Sequence, residues 1–208
     1  MQIDHIFIRV QPGGPEAEVL REFGLSEGSG NVHPGQGTAN RRFFFANAFL
    51  ELLWIVNEEE IRSEQTRPTM LYERLSADAA SPFGICFRPN AEFPTWDYKP
   101  AYLPAGMTIG IASDTPLTEP MWFYTSAGKA PELFEGERRQ PLQHAAGLHR
   151  ITGLRCTLPS TAALSPAALA SGIHFSEGDL HLLEISFDDE TRGLTKDLRP
   201  NLPIILHY

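Results

Sequence analysis

The sequence predicts an α+β fold with a sheet covered on one side and enclosing something on the other. Three observations point there. A short strand-like run, Ile3 to Val10, is followed at once by a helical stretch. The last third of the chain repeats the first in outline. Two glutamates, Glu51 and Glu184, sit inside apolar strand-like runs, where a carboxylate is costly to bury unless it is paired, protonated or metal-bound.

The elements follow in order. Ile3 to Val10 is rich in β-branched residues, and Gly13-Gly14-Pro15 breaks it before Glu16 to Phe23, which has room for two helical turns. Ser26 to Asn40 is dense in Gly, Ser, Asn and Pro and reads as a long loop or irregular strand, a setting in which function often resides. Arg42 to Phe45 and Phe49 to Val56 are strands joined by Ala46-Asn47-Ala48. This stretch, residues 1–56, is read as the first unit. Residues 57–80 form a charged, helix-compatible connector, with the acid run Glu58 to Glu60 suited to a first turn. Residues 81–147 form an irregular middle region. Its strand candidates are Phe83 to Arg88, Met107 to Ala112 and Met121 to Thr125, and four prolines from Pro89 to Pro104 keep the stretch between them irregular. Residues 148–208 form the repeat-like unit. There His149 opens Ile151 to Leu158 as His5 opens the first strand, and Leu182 to Ser186 carries Glu184 as Phe49 to Leu53 carries Glu51.

Composition excludes several classes. The 208-residue chain has 17 Lys and Arg against 26 Asp and Glu, and a net charge of −9 repels polyanions and argues against a nucleic-acid binder. Asp4, His5 and Arg9 interrupt the amino terminus where an export signal needs an apolar run, so a cytoplasmic location is expected. The longest greasy region, Phe43 to Val56, contains Asn47 and Glu51 and is too short to span a membrane. Cys86 and Cys156 form no Cys-x-x-Cys pair and read as buried reduced thiols. Gly24 to Gly28 matches Gly-x-Ser-x-Gly in letters only, because a helix rather than a strand precedes it. No glycine pattern forms a phosphate loop.

Alternation in strands puts Glu51 on one face with Phe49, Leu53 and Ile55, and His5 with Ile3, Phe7 and Arg9. If the two strands are neighbours, imidazole and carboxylate converge, a donor pair suited to Zn, Mn, Fe or Ni. The cavity is expected to be lined by Phe7, Phe45, Trp54 and Trp122. Arg9 and Arg42, with Arg41 and Arg155, are candidates for a positive spot facing a carboxylate-bearing ligand.

The pieces Ile3-Asp4-His5-Ile6, His33-Pro34-Gly35-Gln36-Gly37-Thr38-Ala39-Asn40 and Phe49-Leu50-Glu51-Leu52-Leu53-Trp54 together resemble the vicinal oxygen chelate superfamily, and within it the glyoxalase-like domain proteins. The resemblance implies paired βαβββ modules forming curled mixed sheets around a cavity. It implies a divalent metal held by a His on the first strand and a Glu on the last strand of a module, here His5 and Glu51, with His149 as a further ligand. It places Asn40 beside a small-molecule ligand. It implies a lyase, isomerase or dioxygenase that polarises vicinal oxygens, with Glu184 as the base. It also implies a second reading, a metal-free binding or drug-sequestering protein of the same fold. A homodimer is expected from the resemblance alone. The second module has two candidate locations: the repeat-like unit, or the strands from Phe83 to Thr125, which carry no His or Glu in their middles.

Overall fold

The computed structural model describes residues 1–208 as two mixed sheets with few helices, curled but not closed. The first unit consists of β1 (Gln2–Arg9), α1 (Ala17–Glu22), β2 (Asn31–His33), β3 (Thr38–Phe44) and β4 (Phe49–Ile55). The connector holds α2 (Glu58–Ile61), capped by the Asn57 side chain accepting from Glu60 N–H, and α3 (Leu71–Ser76). Then come β5 (Phe83–Arg88), β6 (Thr95–Tyr98), β7 (Ile109–Ala112) and β8 (Met121–Tyr124). The carboxyl-terminal unit contains β9 (Ile151–Leu158), α4 (Pro166–Ala170), β10 (His174–Glu177), β11 (Leu182–Phe187), β12 (Thr195–Asp197) and β13 (Ile204–His207).

The first sheet has the order β2-β3-β4-β1-β5-β8-β7-β6. Its two halves mirror each other: β1 runs parallel to β4, β5 runs parallel to β8, and β1 meets β5 antiparallel at the centre. The partner of the first module is therefore Phe83 to Tyr124. A helix equivalent to α1 is missing there, since the Pro89 to Pro94 stretch that follows β5 cannot form one.

The carboxyl-terminal unit echoes the first in pattern without copying its topology. Its sheet has the order β10-β9-β11-β13-β12. The Glu184 strand β11 lies antiparallel to β9, whereas the Glu51 strand β4 lies parallel to β1. Short alternating strands around a helix produce such likeness on their own.

Alternation decides what each face of the first sheet does. Ile6, Ile8, Leu50, Leu52, Ile85 and Trp122 point to one face, where they pack against Leu154, Leu183, Ile185 and Leu206 of the second sheet in the main core. Phe7, Leu53, Cys86, Met121 and Phe123 point to the other and form a smaller apolar cluster with Ile61, Leu71 and Tyr98. One face is thus sealed by a second sheet, and the concave face is left to enclose a cavity. No helix is long and apolar enough to cross a membrane.

Candidate functional site

A cavity of about 210 Å3 lies on the concave face of the first sheet, lined mainly by apolar and aromatic side chains with a few polar groups at one side. That volume is below the roughly 300–1,000 Å3 of pockets for drug-sized ligands, so a smaller molecule fits it. Five residues expected at a site line it: His5, Phe7, Asn40, Arg42 and Glu51.

The central pair follows from register. In the parallel ladder His5 faces Phe49 and Phe7 faces Glu51, so His5 and Glu51 lie on one face, one pleat apart. His5 Nε2 is 3.5 Å from Glu51 Oε2. On the other side of the ring, His5 Nδ1 is 2.8 Å from Asp4 Oδ1. Asp4 is itself held by Arg88, 3.2 Å away, with both side chains almost wholly buried. A stack on Phe49, centroids 4.5 Å apart, and an edge contact with Phe123 at 5.4 Å fix the ring plane. Burial disfavours the charged imidazole, but Cys86, Asp4 and Glu51 outweigh it and hold the His5 pKa well above its ordinary value.

Glu51 is buried, and its second oxygen accepts from the Asn40 side-chain amide. Asn40 lies 3.5 Å from His33 Nε2, and His33 Nδ1 is 2.9 Å from Thr38 Oγ1. Desolvation keeps the His33 pKa below its ordinary value. The far wall comes from the Pro-rich segment: Tyr102 leans on the His33 ring at 4.8 Å and reaches Gln36 at 3.4 Å.

A divalent ion fits the first of these pairs. Ligand bonds of 2.0 to 2.1 Å in a tetrahedral shell separate two donor atoms by roughly 3.3–3.4 Å, close to the 3.5 Å between His5 Nε2 and Glu51 Oε2. That spacing is long for a hydrogen bond. A ligating His generally gives its other ring N–H to a carboxylate, and Asp4 occupies that position. Asp4, His5 and Cys86 also offer donor atoms within 4.8 Å of one another. Of these, Asp4 is neutralised by Arg88, and burial pushes the Cys86 thiol up, which disfavours the thiolate a metal needs.

The second module adds no His or Glu to the cavity wall. Opposite His5 stands Cys86, and β8 contributes Met121 and Phe123 to the wall.

Six expected site residues lie elsewhere. Phe45 is one residue past β3 on the sealed face, where it packs on His144 and Phe187, 4.8 and 4.7 Å away. Trp122 is on the sealed face too, its Nε1 donating to Glu119 at 3.0 Å. Trp54 is out of phase with Glu51 and Leu53 and lies outside the cavity against the Gly14 turn. Arg9 shares the His5 face but lies beyond the cavity's end, donating to the Ala77 carbonyl at 2.6 Å. His149 precedes β9 and is exposed, with Nδ1 3.5 Å from Asp188. Glu184 points to the outer face of the second sheet, where His207 Nε2 is 2.6 Å away and Arg155 3.7 Å. The main core separates both from the cavity, so neither His149 as ligand nor Glu184 as base belongs to this site.

Sequence reasoning missed Asp4, Cys86, Tyr98, Tyr102 and Phe123. Phe123 and Cys86 follow from alternation once β5 is known to pair with β1 and β8 with β5. Asp4 does not: the β1/β5 pairing shifts register between Ile3 and His5, and no pattern in the letters marks that irregularity.

Residues 3–95 match a family described as Glyoxalase-like domain, a span from β1 to the start of β6. No curated protein matches the chain. Among solved structures, a hypothetical protein from Staphylococcus aureus is similar, with 12% identity, a TM-score of 0.49, and coverage of 98% of this chain and 96% of its own.

Proposed function

We propose, from the match of residues 3–95 to a glyoxalase-like domain, that the first sheet is a small-molecule enzyme of the glyoxalase or dioxygenase type. In this reading His5 and Glu51 would hold a divalent ion, and the chemistry it would supply is polarisation of two adjacent substrate oxygens. The observation that carries it is the line Asp4–His5–Glu51, with a carboxylate 2.8 Å behind Nδ1 and another 3.5 Å ahead of Nε2. Such a line gives the Nδ1 proton to Asp4 and aims Nε2 at the cavity, where an ion would have to displace the proton that the raised His5 pKa favours.

The chain's own groups have defined tasks. Arg88 anchors Asp4, Asn40 fixes the Glu51 carboxylate, and Phe49 and Phe123 hold the imidazole plane. Two protein donors are one fewer than the three of a usual catalytic zinc site, so an ion held here would leave positions for substrate oxygens and water. The apolar wall of Phe7, Met121 and Ile111 excludes bulk water and strengthens each polar contact.

The second module's lack of a His or Glu donor favours one further reading, a metal-free binding protein that uses the same cavity. Calorimetric titration of the metal-stripped protein with Mn, Zn and Ni separates the two. The enzyme reading expects one ion per chain, lost in His5→Ala and Glu51→Gln while both variants stay folded. A folded protein that binds none of the three ions supports the binder.

A further inference from the structure

The cavity wall contains a half-buried cation that makes no ion pair. Arg42 lies on β3 directly across from Glu51 in the ladder, and its side chain lines the cavity. Its guanidinium donates from Nε to the Ser29 carbonyl at 2.7 Å and from Nη2 to the Ser29 hydroxyl at 3.0 Å. Nη1 has no protein partner. The other arginines of this sheet are engaged otherwise. Arg41 grips Glu27 and Glu18 at 2.6 and 2.9 Å, and Arg88 holds Asp4 at 3.2 Å. Arg9 is tied to backbone carbonyls and stands 4.0 Å from Asp78. Glu51, the acid nearest Arg42 in the ladder, is committed to Asn40 and His5 and makes no ion pair with it.

Partial burial without an ion pair disfavours the Arg42 charge, which the Glu51 carboxylate offsets only in part and an incoming anion would offset further. The Arg42 guanidinium also lies over the Phe44 and Phe49 rings, at 5.0 and 5.7 Å from their centroids, which leaves its edge free for a planar acceptor. Phe49 also stacks on His5, so guanidinium, phenyl and imidazole lie in contact along one wall.

We infer that the substrate is a small carboxylate, whose carboxyl group is taken by the free edge of Arg42 while its adjacent oxygens face His5 and Glu51. One guanidinium beside a glutamate suits a monoanion. This deepens the proposed function and rests on it only for the orientation of the adjacent oxygens.

The test titrates the protein calorimetrically with 2-oxo and 2-hydroxy carboxylates of three to six carbons and with their methyl esters, each with and without a chelator. The acids are expected to bind and the esters to bind at least about 10-fold more weakly, since a charge-assisted pair is lost. Arg42→Met is expected to erase that preference, with the acids weakened about 10- to 100-fold and the esters unchanged. Arg42→Lys should restore it in part. Esters that bind as well as acids, or an acid panel that does not bind at all, overturn the inference even if the metal is present. An acid preference that persists under chelator and depends on Arg42 supports it and overturns only the metal reading. Should Arg42→Met fail to fold, the acid-to-ester ratio of the unmodified protein decides.

Discussion

Asp4→Asn separates support of the fold from support of the site. The carboxylate faces two groups, His5 Nδ1 at 2.8 Å and Arg88 Nη1 at 3.2 Å, and both members of the Asp4–Arg88 pair are almost fully buried. Removing one partner of a buried pair costs about 3–5 kcal/mol. Arg88 keeps the Ile3 and Asn47 carbonyls at 2.9 and 2.7 Å, and the asparagine oxygen can still accept one bond, which places the cost at the lower end. For a chain of this size about 3 kcal/mol lowers Tm by roughly 6–12 °C. The second effect falls on the metal. Without a carboxylate behind it, the imidazole loses its fixed tautomer and part of its basicity, and affinity should drop about 10- to 100-fold. Thermal unfolding and calorimetric metal titration of the same preparation read the two effects. A lowered Tm with unchanged metal affinity would refute the role of Asp4 behind His5. An unchanged Tm would refute the account of the buried pair.

Three further outcomes are expected. His144 accepts from Ser26 N–H through Nδ1 at 3.0 Å and donates from Nε2 to the Phe44 carbonyl at 2.9 Å, and burial holds its pKa below the ordinary 6.5. The unfolded chain therefore binds the proton more readily, so stability is present above about pH 6.5 and is lost as pH falls toward the folded-state value. Tm measured against pH should show that slope in the unmodified protein and a shallower one in His144→Gln. Glu119 accepts from Trp122 Nε1 and from the Ser165 amide and hydroxyl, at 3.0, 2.7 and 2.6 Å, and so ties β8 to the start of α4. Glu119→Ala should cost about 3–5 kcal/mol in urea unfolding and Glu119→Gln clearly less, because the amide keeps one acceptor. At Gly84 a Cβ would overlap the Phe7 ring. Gly84→Ala should cost about 1–3 kcal/mol of overpacking and weaken ligand binding by driving Phe7 into the cavity, whereas unchanged binding would show that the ring moves elsewhere.

The parts of the fold and site legible in the letters were those set by period and by expensive burial. His5, Phe7 and Glu51 were readable because alternation fixes their face and because a carboxylate amid Leu50, Leu52 and Leu53 demands a partner. The errors came where aromatic character was weighed above that rule. Trp54 and Trp122 are aromatic and central to their strands, but Glu51 and Leu53 in one, and Met121 and Phe123 in the other, occupy the cavity face. The echo at His149 and Glu184 misled for a different reason. A His, a helix and a Glu recur there in order, yet which strand neighbours which is set by packing between sheets, and the partner half of the cavity comes from Phe83 to Tyr124. Asp4 and Tyr102 were out of reach, one placed by a register shift and the other by the path of a proline-rich loop.

The central claim is that His5 and Glu51 share an ion with Asp4 behind the imidazole. An anomalous-difference map from a crystal grown with Mn or Zn tests it most directly. A single peak about 2.0–2.2 Å from His5 Nε2 and from the Glu51 carboxylate is expected. A map with no peak in the cavity, or with one between Asp4 and Cys86 instead, would contradict it.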